Sequence, residues 1–127
     1  MKTAIIGGGA AAFFAAINTK EHFPNSEVVL FEKTSKLLSK VLVSGGGRCN
    51  VTNSETSISS FSKCYPRGEK QLKKLFGTFN NQHTIKWFES RGVELVAEQD
   101  GRMFPKSNRS QTIYDLFLSE TERLGIK

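Results

Sequence analysis

Residues 3–32 read TAIIGGGAAAFFAAINTKEHFPNSEVVLFE, and the order of these segments decides the fold. Thr3-Ala4-Ile5-Ile6 is a short apolar run bounded by glycine, the form of a strand buried in a parallel sheet. Gly7-Gly8-Gly9 makes a turn, and Ala10 to about Lys20 is alanine-rich and free of breakers, which predicts a helix. Pro24-Asn25-Ser26 turns the chain into Glu27-Val28-Val29-Leu30-Phe31, a second apolar run predicting a buried strand that ends at Glu32. Strand, glycine turn, helix and strand in this order make a βαβ unit.

Within that unit Gly7-x-Gly9-x-x-Ala12 fits the G-x-G-x-x-G/A pattern of dinucleotide-binding turns. The first glycine permits the tight turn, the second lets a pyrophosphate approach the backbone, and the third small residue allows close packing of helix on strand. A helix starting near Ala10 presents its N–H groups and the positive end of its dipole to the phosphates. The pattern alone is weak. Here it follows a strand, opens a helix, and has Glu32 at the end of the next strand, where a carboxylate can hold a ribose hydroxyl pair. Lys33 raises the question of a 2′-phosphate, but the neighbouring carboxylate repels one, which disfavours NADP.

Length and composition set the frame. The chain has 127 residues, 18 Lys+Arg against 12 Asp+Glu for a net charge of +6, 38% hydrophobic and 24% charged residues. These values exclude an acidic disordered tail and a fibrous protein, and they fit a globular chain. Cys49 and Cys64 are too few for a disulfide framework and lack zinc spacing, so two thiols in a reducing cytosol are expected. The apolar run from Ala4 to Ile17 is too short to span a bilayer, and three glycines are foreign to a signal sequence. The expectations are a cytoplasmic location and no membrane partner. His22 and His83 are isolated, so no metal site is expected.

Lys33 to Asn53 is rich in Lys, Ser and Gly, a structured excursion closed by Gly45-Gly46-Gly47, and residues 54–63 read as a surface loop or short helical turn. Leu72, Leu75, Phe76 and Phe79 recur at helical spacing, as do Ile85, Trp87 and Phe88 in a helix stopped by Gly92. Phe76, Phe79, Trp87 and Phe88 are expected in the core. Val93–Ala97, the turn Gln99-Asp100-Gly101, and Arg102-Met103-Phe104 closed by Pro105 predict a small hairpin. Ser107 or Ser110 caps a last helix bearing Ile113, Leu116, Phe117, Glu120 and Leu124, which Gly125 stops. Ile126-Lys127 then reads as the first step of a third parallel strand beside the first, so the chain is expected to be an N-terminal fragment of a longer polypeptide.

The second glycine-rich segment is Ser44-Gly45-Gly46-Gly47-Arg48-Cys49-Asn50-Val51-Thr52-Asn53. Its glycines can turn several N–H groups toward one ligand, and Arg48 adds a planar positive charge. No Gly-Lys-[Ser/Thr] follows, so it is not a Walker loop. Together with Gly-Gly-Gly-Ala-Ala near the start, Tyr65-Pro66-Arg67-Gly68, and Glu98-x-x-Gly101-Arg102-x-Phe104-Pro105 followed by Ser107, this segment resembles the bacterial FAD-dependent oxidoreductases. That family includes aminoacetone oxidase-like and bile-acid dehydro-reductase-like flavoproteins. The likeness runs along essentially the whole chain and concerns the N-terminal third of longer proteins with a two-part FAD domain and an inserted substrate domain.

The resemblance implies an α/β, Rossmann-like FAD/NAD(P)-binding domain with a parallel sheet and a small β-hairpin. It implies that Gly7, Gly9, Ala10 and Ala11 line the FAD pyrophosphate, that Glu32 binds the adenosine ribose, and that Lys33 and Lys40 lie along the same nucleotide. Ser44, Gly45, Gly46, Gly47, Arg48, Cys49 and Asn50 would approach the pyrophosphate and flavin, with Phe104 and Pro105 nearer the ring. The chemistry would be the flavin's, on a small-molecule substrate, and no catalytic residue is named. Two other readings stay open. An NAD-dependent dehydrogenase domain shares the turn and the carboxylate, although it has no standard use for residues 44–53. A nucleic-acid-binding module is suggested by two basic clusters, Arg67, Lys70, Lys73 and Lys74 in one and Lys33, Lys36, Lys40 and Arg48 in the other, but no nucleic-acid motif accompanies either, so no nucleic-acid partner is expected. Apolar surface that the rest of a longer chain would cover is a route to self-association.

Overall fold

The computed structural model describes all 127 residues, in two compact units. The first comprises Met1–Cys49 and Arg109–Lys127, the second Asn50–Asn108. In the first, β1 (Lys2–Ile6) pairs in parallel with β2 (Glu27–Phe31), Ala4 opposite Val29, with α1 (Ala10–His22) between them. α2 (Ser39–Gly47) follows β2, and a late helix, Gln111–Arg123, packs against α1 through Phe13 and Phe117, whose rings are 5.9 Å apart. Ala16, Ile17, Val28 and Ile113 are almost wholly buried with them. The bulk of Phe13 at the helix start thus serves helix–helix packing. Two buried apolar residues one turn apart, Phe13 and Ile17, give this short α1 its inward stripe.

The expectation of two fully buried strands holds for one face of this sheet. Ile6 is 80% and Phe31 52% exposed, on the face opposite the buried Val28. A second correction concerns the third strand. Lys127 donates its N–H to the Val28 carbonyl (3.1 Å) and accepts from the Leu30 N–H (2.6 Å), a parallel register beside β2 and not beside β1. The last helix lies next to α1, and the chain after it returns to pair with β2.

The second unit holds β3 (Thr52–Asn53), α3 (Ile58–Lys63), α4 (Glu69–Phe76), α5 (Asn81–Glu89), β4 (Leu95–Ala97) and β5 (Arg102–Pro105); the helix Gln111–Arg123 of the first unit is α6. The predicted hairpin of β4 and β5 is present, with Gly101 at φ +82° in its turn and Arg102 paired to Asp100 (2.7 Å) and Glu98 (3.1 Å). The Glu98-x-x-Gly-Arg signature is therefore a hairpin device. β3, which the sequence reading left unassigned, pairs antiparallel with β5 and makes the sheet three-stranded. The buried Asn81 amide donates to the carbonyls of Asn53 and Glu55, both at 2.6 Å, tying α5 to that strand.

Of the two readings of residues 54–63, loop or short helical turn, the structure has the second: the six-residue helix α3, capped by the Ser57 hydroxyl, with Phe61 and Ser62 buried. Two further expectations change. Trp87 and Phe88 are in the core, but Phe76 is half-buried against Phe61 of α3 and Phe79, past the end of α4, is 42% exposed; α4 packs on α3 and fully buries none of its side chains. Ser110 precedes α6 without capping it: its hydroxyl donates to the Leu42 carbonyl (2.8 Å) and its N–H to the Gly47 carbonyl (2.8 Å), fastening α6 to α2. His83 completes a capping box with Asn80, which gives this isolated histidine a structural use.

Candidate functional site

Three hydrogen bonds fix the first glycine turn. Gly7 N–H donates to the Phe31 carbonyl (2.7 Å), Gly8 N–H to Glu32 Oε2 (2.7 Å), and the Gly8 carbonyl accepts from Leu38 N–H (2.8 Å). Gly7 needs its glycine because φ is +112°. Gly8 needs it for closeness: an added Cβ would stand 2.8 Å from Leu37 Cδ2 and 2.9 Å from Glu32 Cγ. At Gly9, the N-cap of α1, φ is an ordinary −92° and an added Cβ would meet nothing within 4 Å. The backbone there borders open space.

That space is a cavity of about 490 Å³ lined by Gly8, Gly9, Ala10, Glu32, Thr34, Lys36, Leu38, Ser39, Lys40 and Val41. α1 begins at it with no side-chain cap and no acidic residue in its first turn, so the positive end of its dipole lies at the cavity, with the Glu32 carboxylate at its rim. Lys36 and Lys40 add positive charge on the wall. These features suit an anionic group at Gly9–Ala10, and the volume is in the range of small-ligand sites.

Glu32 sits at the rim. Its Oε1 accepts from Thr34 N–H (2.8 Å) and the Thr34 hydroxyl (3.1 Å), and its Oε2 from Gly8 N–H. The Thr34 N–H, then the Gly8 N–H and the Thr34 hydroxyl, hold the carboxyl below the usual carboxylate range. An ionised, exposed carboxylate is an acceptor that a ribose hydroxyl can use.

The structure thus brings Gly9, Ala10, Glu32 and Lys40 to one cavity, with Gly7 and Ala11 beside them in the turn and helix. Lys33 is exposed and is not among the cavity residues. Gly8, Thr34 and Leu38 belong to the site and escaped the sequence reading. Gly8 stands at a position the pattern leaves free, Thr34 signals only as a hydroxyl two residues past Glu32, and Leu38, buried at φ +50°, gives no signal.

The second glycine segment divides between the units. Ser44–Cys49 lies in the first, where Gly45, Gly46 and Gly47 take φ of +55°, +68° and +84°, interrupt helix α2, and are exposed. Cys49 N–H closes the loop on the Ser44 carbonyl (3.0 Å), and Arg48 Nε donates to the Gly45 carbonyl (3.3 Å). Cys49 is buried and burial pushes its thiol pKa up, opposite to an activated thiolate. Asn50 lies in the second unit, its amide donating to the carbonyls of Thr52 (2.9 Å) and Met103 (3.3 Å). Phe104 and Pro105 are buried there in β5. No group of three or more His, Cys, Asp or Glu side chains is assembled for a metal ion, and no helix is long and apolar enough to cross a membrane.

Comparison with known proteins places the chain. Residues 1–127 match the family described as HI0933-like protein Rossmann domain. A Clostridium scindens protein named 3-dehydro-bile acid delta(4,6)-reductase is 29% identical over 123 residues, which cover 97% of this chain and 29% of that relative. A ribosomal RNA dihydrouridine synthase of Haemophilus influenzae is 28% identical over 123 residues, 97% of this chain and 29% of its own. The Escherichia coli protein of the same name is 28% identical over 124 residues, 94% of this chain and 28% of its own. The chain spans less than a third of the length of these curated relatives.

Proposed function

Because the chain belongs to the HI0933-like Rossmann-domain family, we propose that its glycine turn and Glu32 bind FAD, as the N-terminal part of the FAD domain of a longer flavin-dependent oxidoreductase. The observation that carries this is the open cradle at Gly9, faced by the uncapped end of α1 and walled by Glu32 and Lys40. The N–H groups of Ala10 and Ala11 would hold the pyrophosphate, the exposed Glu32 carboxylate would accept from an adenosine ribose hydroxyl, and Lys40 would balance phosphate charge. The exposed Gly45–Gly47 loop, braced by Ser110 through Gly47, would supply further N–H groups toward the cofactor. Phe104 and Pro105, buried in β5 of the second unit, would approach the flavin ring as the resemblance implies.

A bound flavin supplies two-electron transfer, and the residues of this chain bind and orient it. The activities named for the two kinds of relative, reduction at the delta(4,6) positions of a 3-dehydro bile acid and formation of dihydrouridine, share one chemistry. Both saturate a carbon–carbon double bond conjugated with a carbonyl, taking up a hydride and a proton. That substrate class is carried over here as part of the proposal.

The test is a titration of the chain with FAD followed by amide NMR, beside a visible spectrum after gel filtration. Shifts centred on Gly8, Gly9, Ala10 and Glu32 are expected. A chain whose amides ignore FAD at saturating concentration sinks the reading. Larger and tighter shifts with NAD than with FAD transfer the site to a nicotinamide dehydrogenase.

A further inference from the structure

We propose that Thr34 is a positioning residue of the cofactor site, holding the Glu32 carboxylate in the orientation in which it accepts from the ribose; this rests on the FAD reading of the glycine turn. Both donors of Thr34 reach one oxygen, Glu32 Oε1, the N–H at 2.8 Å and the hydroxyl at 3.1 Å. Gly8 N–H takes the other, Oε2, at 2.7 Å. The two oxygens are therefore held from different segments, the glycine turn and the loop after β2, and turning the carboxylate breaks bonds to both. An ordered glutamate side chain loses rotamer freedom, and here that loss falls on folding and not on ligand binding.

The Thr34 hydroxyl also joins the loop to this carboxylate. It accepts from Lys36 N–H (3.3 Å), and Leu38 N–H donates to the Gly8 carbonyl (2.8 Å). Segment 32–38 thus closes on Gly8 at both ends, through the Glu32 side chain and the Leu38 backbone, with Thr34 linking the two. Glu32, Thr34, Lys36 and Leu38 all line the same cavity. Core packing does not explain a threonine at this place, because residue 34 is exposed, as are Lys33 and Ser35 beside it. Hydrogen-bond donors, and no side-chain cation, hold the carboxyl low: the Thr34 N–H first, then the Gly8 N–H and the Thr34 hydroxyl. Residue 34 supplies two of these three donors.

The experiment compares the unaltered chain with Thr34→Val and Thr34→Ser, by FAD titration and by amide hydrogen exchange without ligand. Valine has the shape of threonine and keeps the N–H, so only the hydroxyl is lost. The position is exposed, and the melting temperature of both variants should hold. Thr34→Val should weaken FAD about three- to tenfold, the fold-change of about one net hydrogen bond. In the unliganded chain its Gly8 amide should exchange several-fold faster, because the carboxylate that accepts from it is no longer braced. Thr34→Ser should restore both readings. An unchanged FAD affinity in Thr34→Val, an unchanged Gly8 exchange rate, or a Thr34→Ser variant as weak as Thr34→Val each overturn the proposal. Those three outcomes leave the FAD reading standing as long as the unaltered chain binds FAD. A chain that ignores FAD in every variant removes that reading, and the role of Thr34 with it.

Discussion

Two glycine triplets in the same unit use the same residue for different physical reasons. In Gly7-Gly8-Gly9 one residue needs a positive φ, one needs room for the Glu32 carboxylate and Leu37, and one borders open space. In Gly45-Gly46-Gly47 all three take positive φ, and an added Cβ would meet nothing closer than 3.9 Å at Gly46 or Gly47. The first triplet is a contact, tied by Gly7 and Gly8 to β2, Glu32 and Leu38. The second is a backbone shape that breaks a helix and stays exposed. A run of three glycines therefore says that side chains are unwelcome without saying why.

Substitutions can break this comparison apart. Gly9→Val should have the largest effect on ligand and nearly none on the fold: FAD-induced amide shifts disappear while the melting temperature holds. A melting drop of many degrees would show that Gly9 is structural like Gly8. Gly8→Ala should destabilise by about 1–3 kcal/mol, the scale of overpacking, because Glu32 Cβ and Cγ are too near the backbone to swing aside. Urea unfolding reads this directly, and an unchanged midpoint would remove the contact argument. Gly46→Ala should cost about 1–2 kcal/mol through left-handed strain alone. A double variant with Gly8→Ala should be additive, since the two costs arise from unconnected causes.

The smallest effect is a pH dependence. The Glu32 carboxyl is held below its unfolded value, so its contribution to stability is complete above the ordinary carboxylate pKa and is lost as pH falls through the lowered folded value. The stability difference between the unaltered chain and Glu32→Gln should therefore be flat near neutrality and shrink in acid. A difference that grows on acidification would reverse the sign assigned to the Thr34 and Gly8 hydrogen bonds.

Much of the site was legible because it is local. Gly7, Gly9, Ala10 and Glu32 stand at fixed offsets within one βαβ unit, and the structure brings Gly9, Ala10 and Glu32 to one cavity with Gly7 in the turn beside it. Thr34 and Leu38 were not legible. Thr34 matters through a two-residue turn onto Glu32, and Leu38 through a bond to Gly8, thirty residues away in sequence and adjacent only after folding. Phe79 misled for a related reason: helical spacing marks an apolar stripe, but it does not say that anything covers the stripe. Ser110 has the residue type of a cap and spends its hydroxyl on Leu42.

The sequence by itself determined the parallel βαβ start, the glycine turn before α1, the carboxylate at the end of β2, the β4–β5 hairpin and the family. Each depends on neighbours in the chain, where propensity, period and turn chemistry act over a few residues. Only the tertiary structure decided that β3 joins the hairpin, that Lys127 returns beside β2, that Gly8 is the glycine pressed against Glu32, and that α4 fully buries none of its side chains. Those outcomes depend on pairings between segments distant in the chain. Their energies come from packing and backbone hydrogen bonding, neither of which a local pattern encodes.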